Sequence, residues 1–174
     1  ATVEAAIARG LAGLGIEDTT ADPANPLHGF DAAVARIRAA AGAAKGRILL
    51  TGRTDNYLGG NPDLDDTIRR LVAFAEAGAD VLFAPGLPDL DAIRAVVKAV
   101  SPKPVNVVGG PGTGVVPLSV LAEAGVKRVS LGGSLQRRAL DGLVEAATKL
   151  RDGDIPGAMP KLSSSELAKL LPTA

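Results

Sequence analysis

Three stretches of this chain share one plan: an Ala-rich helical segment closed by glycine, a short spacer, and then a brief apolar run. They are Ala5 to Gly10 before Leu14-Gly15-Ile16, Phe74 to Gly78 before Val81-Leu82-Phe83, and Leu121 to Gly125 before Val129-Ser130-Leu131. A glycine just past the last helical turn takes the left-handed conformation that ends a helix and releases the chain into a strand. Two further apolar runs, Ile48-Leu49-Leu50 and Val105 to Val108, follow the helical stretches Phe30 to Ala44 and Asp89 to Val100. The alternation predicts five parallel strands separated by helices. Their short runs, apolar on both faces, read as strands covered by helices. Asp63, Asp65 and Asp89 stand where N-caps belong, and Asp63, Asp65 and Asp66 read as helix-start carboxylates rather than a cation loop. A long helix from Ser134 to Leu150 leads to a last short helix, announced by the capping-box spacing of Ser163 and Glu166.

A closed barrel of eight βα units averages about 31 residues per unit, so 174 residues hold about five and a half of them. An open dinucleotide-binding sheet would need G-x-G-x-x-G directly after its first strand. Gly13-Leu14-Gly15 instead lies within a strand run, and the loop Gly109 to Gly114 lacks the Gly-Lys-Ser/Thr ending of a P-loop. The chain reads as a single domain over 1–174 with a helical extension over 151–174.

Composition narrows the partners. Lys plus Arg is 19 and Asp plus Glu is 19, which removes the attraction that nucleic acid or an anionic membrane requires. Without cysteine there are no disulfides, thiolate metal sites or cysteine nucleophiles. No apolar run is long enough to span a membrane, and no signal-peptide order is evident, so a soluble cytoplasmic protein is expected.

In parallel α/β folds the chemistry sits at the carboxyl ends of the strands. Reading those positions gives Glu17 and Asp18, then Arg53 and Asp55, then Asn106, and finally Gly132 and Gly133. A carboxylate pair suits a hard divalent cation such as Mg²⁺. An Arg offers a planar fork to a substrate carboxylate, and an amide binds a further oxygen. Plainer readings stand beside these: Glu17-Asp18 as a loop start, Arg53 and Asp55 as a rim ion pair, and His28 as a solvated loop residue. Asn106 inside an apolar run needs partners whatever its role.

Five pieces then follow in order: Gly15-Ile16-Glu17-Asp18-Thr19, Gly52-Arg53-Thr54-Asp55, Ala75 to Asp80 leading to Phe83-Ala84-Pro85-Gly86, Lys103-Pro104-Val105-Asn106-Val107, and Arg128 to Gly133. Over about Ala1 to Leu150 the chain resembles the isocitrate lyase and phosphoenolpyruvate mutase superfamily. The resemblance implies a TIM (β/α)8 barrel, here represented by strands four to eight, with the earlier units and their Asp-rich metal motif expected upstream. It implies a Mg²⁺-dependent lyase or mutase acting through an enolate on a small 2-oxo acid or enolpyruvate. Arg53 and Asn106 would be catalytic, the substrate would also meet Asp55 and Gly132, and Glu17 with Asp18 would face the metal. A homodimer or tetramer that exchanges the helix over Ser134 to Leu150 is implied as well. Thr20 to His28 lacks the Lys-Lys-Cys-Gly-His loop of the isocitrate and methylisocitrate lyases. A non-catalytic, truncated or degenerate barrel acting in binding or assembly is therefore the alternative expectation. A phosphate-binding barrel isomerase, resting on Gly132-Gly133 and the Gly109 to Gly114 loop, is a third.

Overall fold

The computed structural model describes residues 1–110 and 116–170, and divides into two compact units, Ala1–Gly132 and Gly133–Ala174. The division falls ahead of the long helix, whereas the sequence places its extension at 151–174. The distal part of the glycine loop, Pro111 to Gly114, lies outside the described residues, as does any reading that depends on it.

The first unit alternates helix and strand as the glycine joints predict. It comprises α1 (Thr2–Ala8), β1 (Gly13–Glu17), α2 (Phe30–Ala44), β2 (Leu49–Arg53), α3 (Leu64–Glu76), β3 (Val81–Phe83), α4 (Leu90–Val100), β4 (Val105–Val108), α5 (Leu118–Glu123) and β5 (Arg128–Ser130). Gly10, Gly78 and Gly125 close their helices with φ of 71°, 107° and 89°. At Gly78 a side chain is also excluded by space, since a Cβ there would stand 2.7 Å from that of Ala41. Asp63 and Asp89 cap α3 and α4, accepting from the N–H of Asp66 at 3.0 Å and of Ala92 at 2.8 Å.

All five strands are parallel and lie in sequence order, β1-β2-β3-β4-β5. Right-handed crossovers that always step the same way put every helix on one face of the sheet. A doubly wound sheet needs a reversal of strand order, which this sheet lacks. The helix-covered face carries Leu50, Gly52, Leu82, Val105 and Val107, packed on Leu71, Phe74, Ile93 and Val96 of α3 and α4. Gly52 lets α3 close in, because a Cβ there would meet those of Phe74 and Ala79 at 3.1 Å. Burial of each of these large aliphatic or aromatic side chains contributes about 1.5–3 kcal/mol.

The opposite face corrects one expectation. The runs that look apolar on both faces are covered on one only: Leu49 is 59% exposed and shares its face with Gly13, Gly15, Thr51 and Arg53. β1 and β2 also extend past their apolar runs to Glu17 and Arg53, so these candidates stand on strand ends rather than in the loops that follow.

In the second unit are α6 (Ser134–Arg151), α7 (Ile155–Ala158) and α8 (Ser164–Leu170). The capping box is present: Ser163 N–H donates to Glu166 Oε2 at 2.9 Å and Glu166 N–H donates to Ser163 Oγ at 3.3 Å. None of the described residues of α6 is buried. No described helix is long and apolar enough to cross a membrane.

Candidate functional site

Strand register places one row of side chains across the uncovered face. Glu17 pairs with Arg53, Arg53 with Phe83, Phe83 with Asn106, and Asn106 with Arg128. Because side chains alternate along a strand, in-register residues of neighbouring strands share a face. The side chains touch as well as align. Arg53 Nη1 stands 3.0 Å from Glu17 Oε1, its guanidinium lies 5.3 Å from the centroid of the Phe83 ring, and Arg128 Nη1 donates to Asn106 Oδ1 at 3.0 Å. Glu17, Arg53, Phe83 and Arg128 line a groove of about 510 Å³. A second hollow of about 360 Å³ shares Glu17 and Arg53 and is walled by Thr19, Asp22, Asp55 and Leu58. The Glu17–Arg53 pair therefore borders both.

Arg53 is aimed by two carboxylates. Its Nε donates to Asp55 Oδ1 at 2.8 Å while Nη1 meets Glu17. Two residues apart on extended chain, Arg53 and Asp55 point the same way, as their spacing predicts. Asp55 is buried, and that burial pushes its carboxyl above the usual range against the opposing pull of Arg53. Glu17 is different: its side chain is 44% exposed and also accepts from Thr19 Oγ1 at 3.5 Å.

Asp18 does not stand with Glu17. Its side chain is 0% exposed, and its two oxygens take three donors: Asp55 N–H at 2.9 Å on Oδ1, then Thr54 Oγ1 at 2.7 Å and Arg70 Nη1 at 3.1 Å on Oδ2. A carboxylate saturated by internal donors is a structural acceptor, so its placement does not fit the expectation that it faces a cation beside Glu17. His28 is half-buried rather than solvated. Its backbone N–H donates to the Asp18 carbonyl at 2.7 Å and its carbonyl accepts from Arg70 Nη1 at 3.0 Å.

Asn106 finds the partners that a buried amide needs. It is 1% exposed, donates from Nδ2 to Ser130 Oγ at 3.1 Å, and accepts from Arg128. It reaches the groove through Arg128. Gly132 follows β5 with φ of 51° and offers backbone alone. Among the described residues no three His, Cys, Asp or Glu gather to hold a metal ion. Glu17 supplies one exposed oxygen donor of the kind Mg²⁺ accepts through water. The described residues thus fit a contributor to such a site and not a complete one.

Three partners in this arrangement escape the sequence reading: Arg128, Phe83 and Arg70. Arg128 and Phe83 sit inside quoted motifs, yet their common row is visible only once register is known. Arg70 leaves a clearer signal, a charged residue on the buried face of α3 beside Thr67, Leu71 and Phe74.

Over residues 1–151 the chain matches the family model for phosphoenolpyruvate phosphomutase. Among curated relatives, an oxaloacetate decarboxylase of Rhodopseudomonas palustris (strain BisB5) is 33% identical over 175 aligned residues, covering 95% of this chain and 58% of that protein. Among solved structures, a Burkholderia cenocepacia J2315 protein provisionally described as a lyase/mutase superposes with a TM-score of 0.91 at 46% identity, over 97% of this chain and 62% of that one. A 2,3-dimethylmalate lyase superposes with a TM-score of 0.81 at 26% identity, over 97% of this chain and 61% of the other. The chain spans about three-fifths of the length of these relatives. With a matching family model over most of its length and the same fold in a named member of the wider group, the chain belongs to the phosphoenolpyruvate phosphomutase family of the PEP mutase/isocitrate lyase superfamily.

Proposed function

We propose that this chain carries the last five βα units of a (β/α)8 barrel enzyme, a lyase or mutase of small 2-oxo acids or enolpyruvates. The observation that carries the reading is the row Glu17, Arg53, Phe83, Asn106 and Arg128, which gathers opposite charges and an aromatic wall on one face at the carboxyl end of β1, β2 and β3. The alignments with an oxaloacetate decarboxylase and a 2,3-dimethylmalate lyase support chemistry beside a carboxylate.

In this reading Arg53 holds the substrate carboxylate. Its Nε and Nη1 are fixed by Asp55 and Glu17, and among the described residues no protein group meets Nη2. That leaves Nη2 pre-aimed for a charge-assisted hydrogen bond to a substrate carboxylate oxygen. Phe83, with Leu49 and Val81 in the same groove, excludes water from one side of the ligand and strengthens the charge contacts. Asn106 acts on the ligand through Arg128, which it steadies, while Asp55 and the Gly132 backbone complete the rim. Glu17 would hold Mg²⁺ through water, with further ligands from outside the described residues. A bound Mg²⁺ supplies positive charge where an enolate oxygen develops.

The experiment is calorimetry of the full-length protein with oxalate, a planar enolate mimic, with and without Mg²⁺. Oxalate binding that strengthens with Mg²⁺ is expected; no binding in either condition overturns the reading. One observation favours the alternative of a binding or assembly role: the stretch from Thr20 to His28 differs from the Lys-Lys-Cys-Gly-His loop of the isocitrate and methylisocitrate lyases. Oxalate binding without turnover of any 2-oxo acid would support it. A homo-oligomer is supported by α6, on which Leu140, Leu143 and Val144 are all exposed.

A further inference from the structure

We propose that Asp18 and Arg70 are positioning residues for Arg53, acting through the Thr54–Asp55 backbone; the inference rests on Arg53 as the carboxylate anchor. The linkage runs through hydrogen bonds without a gap. Arg70 leaves α3 with Nε on Asp66 Oδ2 at 2.8 Å and Nη1 on Asp18 Oδ2 at 3.1 Å. Asp18 accepts from Thr54 Oγ1 at 2.7 Å and from Asp55 N–H at 2.9 Å, so both residues after Arg53 are held by one carboxylate. Asp55 then returns to Arg53 Nε at 2.8 Å. The backbone closes the same circle, because Asp18 N–H donates to the Arg53 carbonyl at 3.2 Å.

A purely structural role accounts for less of this. A buried ion pair is weak support for stability, since apolar residues of similar volume serve as well or better. Docking of α3 is already provided by Leu71 and Phe74, both fully buried against the sheet. What the pair adds is the anchor on the peptide between Thr54 and Asp55, whose flanks are held by the Phe83 carbonyl on the Thr54 N–H at 3.0 Å and by the Gly59 N–H on the Asp55 carbonyl at 2.6 Å. That peptide sets where the Asp55 carboxylate stands and hence the angle at which Arg53 enters the groove. Misplacement of such a group by about 1 Å costs up to about 100-fold in activity. Arg70 also bonds the His28 carbonyl, so both ends of the loop after β1, at Asp18 and at His28, answer to one guanidinium.

The test pairs a spectroscopic signature with ligand affinity in the full-length protein. The Arg53 Nε–H resonance, identified by its loss in Arg53→Lys, reports the contact with Asp55. In Asp18→Asn that resonance is expected to shift and lose its protection from exchange, while oxalate affinity falls by about 10-fold or more, measured well below the melting temperature. Arg70→Lys, whose single ammonium cannot serve Asp18, Asp66 and His28 together, is expected to do the same, and decides the matter if Asp18→Asn does not fold. An unmoved Arg53 resonance, or unchanged oxalate affinity, overturns the inference even if both variants melt earlier. Failure of the wild-type protein to bind oxalate would instead sink the functional reading, while the resonance still tests the positioning.

Discussion

Glu17 and Arg53 form the last registered pair of β1 and β2, and their side chains meet at 3.0 Å on the sheet face opposite α3 and α4. Glu17 is 44% exposed, so the pair belongs to the class of solvent-screened ion pairs worth about 0–1 kcal/mol. Glu17→Gln should therefore leave the urea midpoint close to wild type. If Glu17 contributes an oxygen to a hydrated cation, the same change should remove most of the Mg²⁺ dependence of oxalate binding, which calorimetry in the presence and absence of Mg²⁺ will read. A variant that binds with undiminished Mg²⁺ dependence would take Glu17 out of the metal's surroundings.

Asn106 offers the converse case, a residue whose loss should be felt in stability first. It is buried and serves both Ser130 Oγ and Arg128 Nη1. Asn106→Leu keeps the volume and removes both partners. Arg128 is exposed and Ser130 half-buried, so water can meet both, and each of the two hydrogen bonds removed costs about 0.5–1.5 kcal/mol. Urea unfolding should show a loss of at least about 1 kcal/mol, accompanied by weaker oxalate binding as Arg128 loses its brace.

Acid should loosen α3 through Asp66. Its carboxylate is partly buried, which alone would raise its pKa, but hydrogen bonds from Arg69, Arg70 and Asn56 together outweigh burial and hold it at about 2, down from 3.8. A carboxylate with a lowered folded pKa stabilises the fold fully above its unfolded value and loses that contribution as pH falls through its folded value. The window is thus from about 4 down to about 2. Asp55, raised by burial, acts in the opposite sense, so the comparison must isolate Asp66. Wild type should lose more stability than Asp66→Asn between pH 6 and pH 2.5; equal losses in denaturant titrations would contradict the assignment.

The fold was legible where local chemistry leaves one choice. The glycine joints at Gly10, Gly78 and Gly125 all carry positive φ, and the caps at Asp63, Asp89 and Ser163 close, whereas Asp65 lies inside the first turn of α3 and caps nothing. Strand ends were less so, because the apolar run at β2 stops at Leu50 while the strand continues through Thr51 to Arg53 on a polar face. The sharpest divergence concerns Glu17 and Asp18. Adjacent in sequence, they read as a pair; consecutive residues leaving a strand turn to opposite sides, so one faces the groove and the other enters the interior toward Arg70. The row across the sheet depends on register, which no single strand encodes by itself.

Gly78 allows the backbone account of the joints to be separated from packing. Gly10 and Gly78 occupy the same kind of helix end, with φ of 71° and 107°. A Cβ at Gly10 would meet nothing within 4 Å, whereas one at Gly78 would stand 2.7 Å from the Ala41 Cβ. Gly10→Ala should therefore cost only the left-handed backbone penalty of about 1–2 kcal/mol. Gly78→Ala carries that penalty and must also push α2 from α3, adding a term of the overpacking kind, about 1–3 kcal/mol. Urea unfolding of the two variants should place Gly78→Ala well below Gly10→Ala, and a double-mutant cycle with Ala41→Gly, which by itself costs about 0.5–1 kcal/mol within α2, should return the packing part as the coupling energy. Equal losses at the two positions would mean that α2 and α3 have room to part there, and that conformation by itself selects glycine at both.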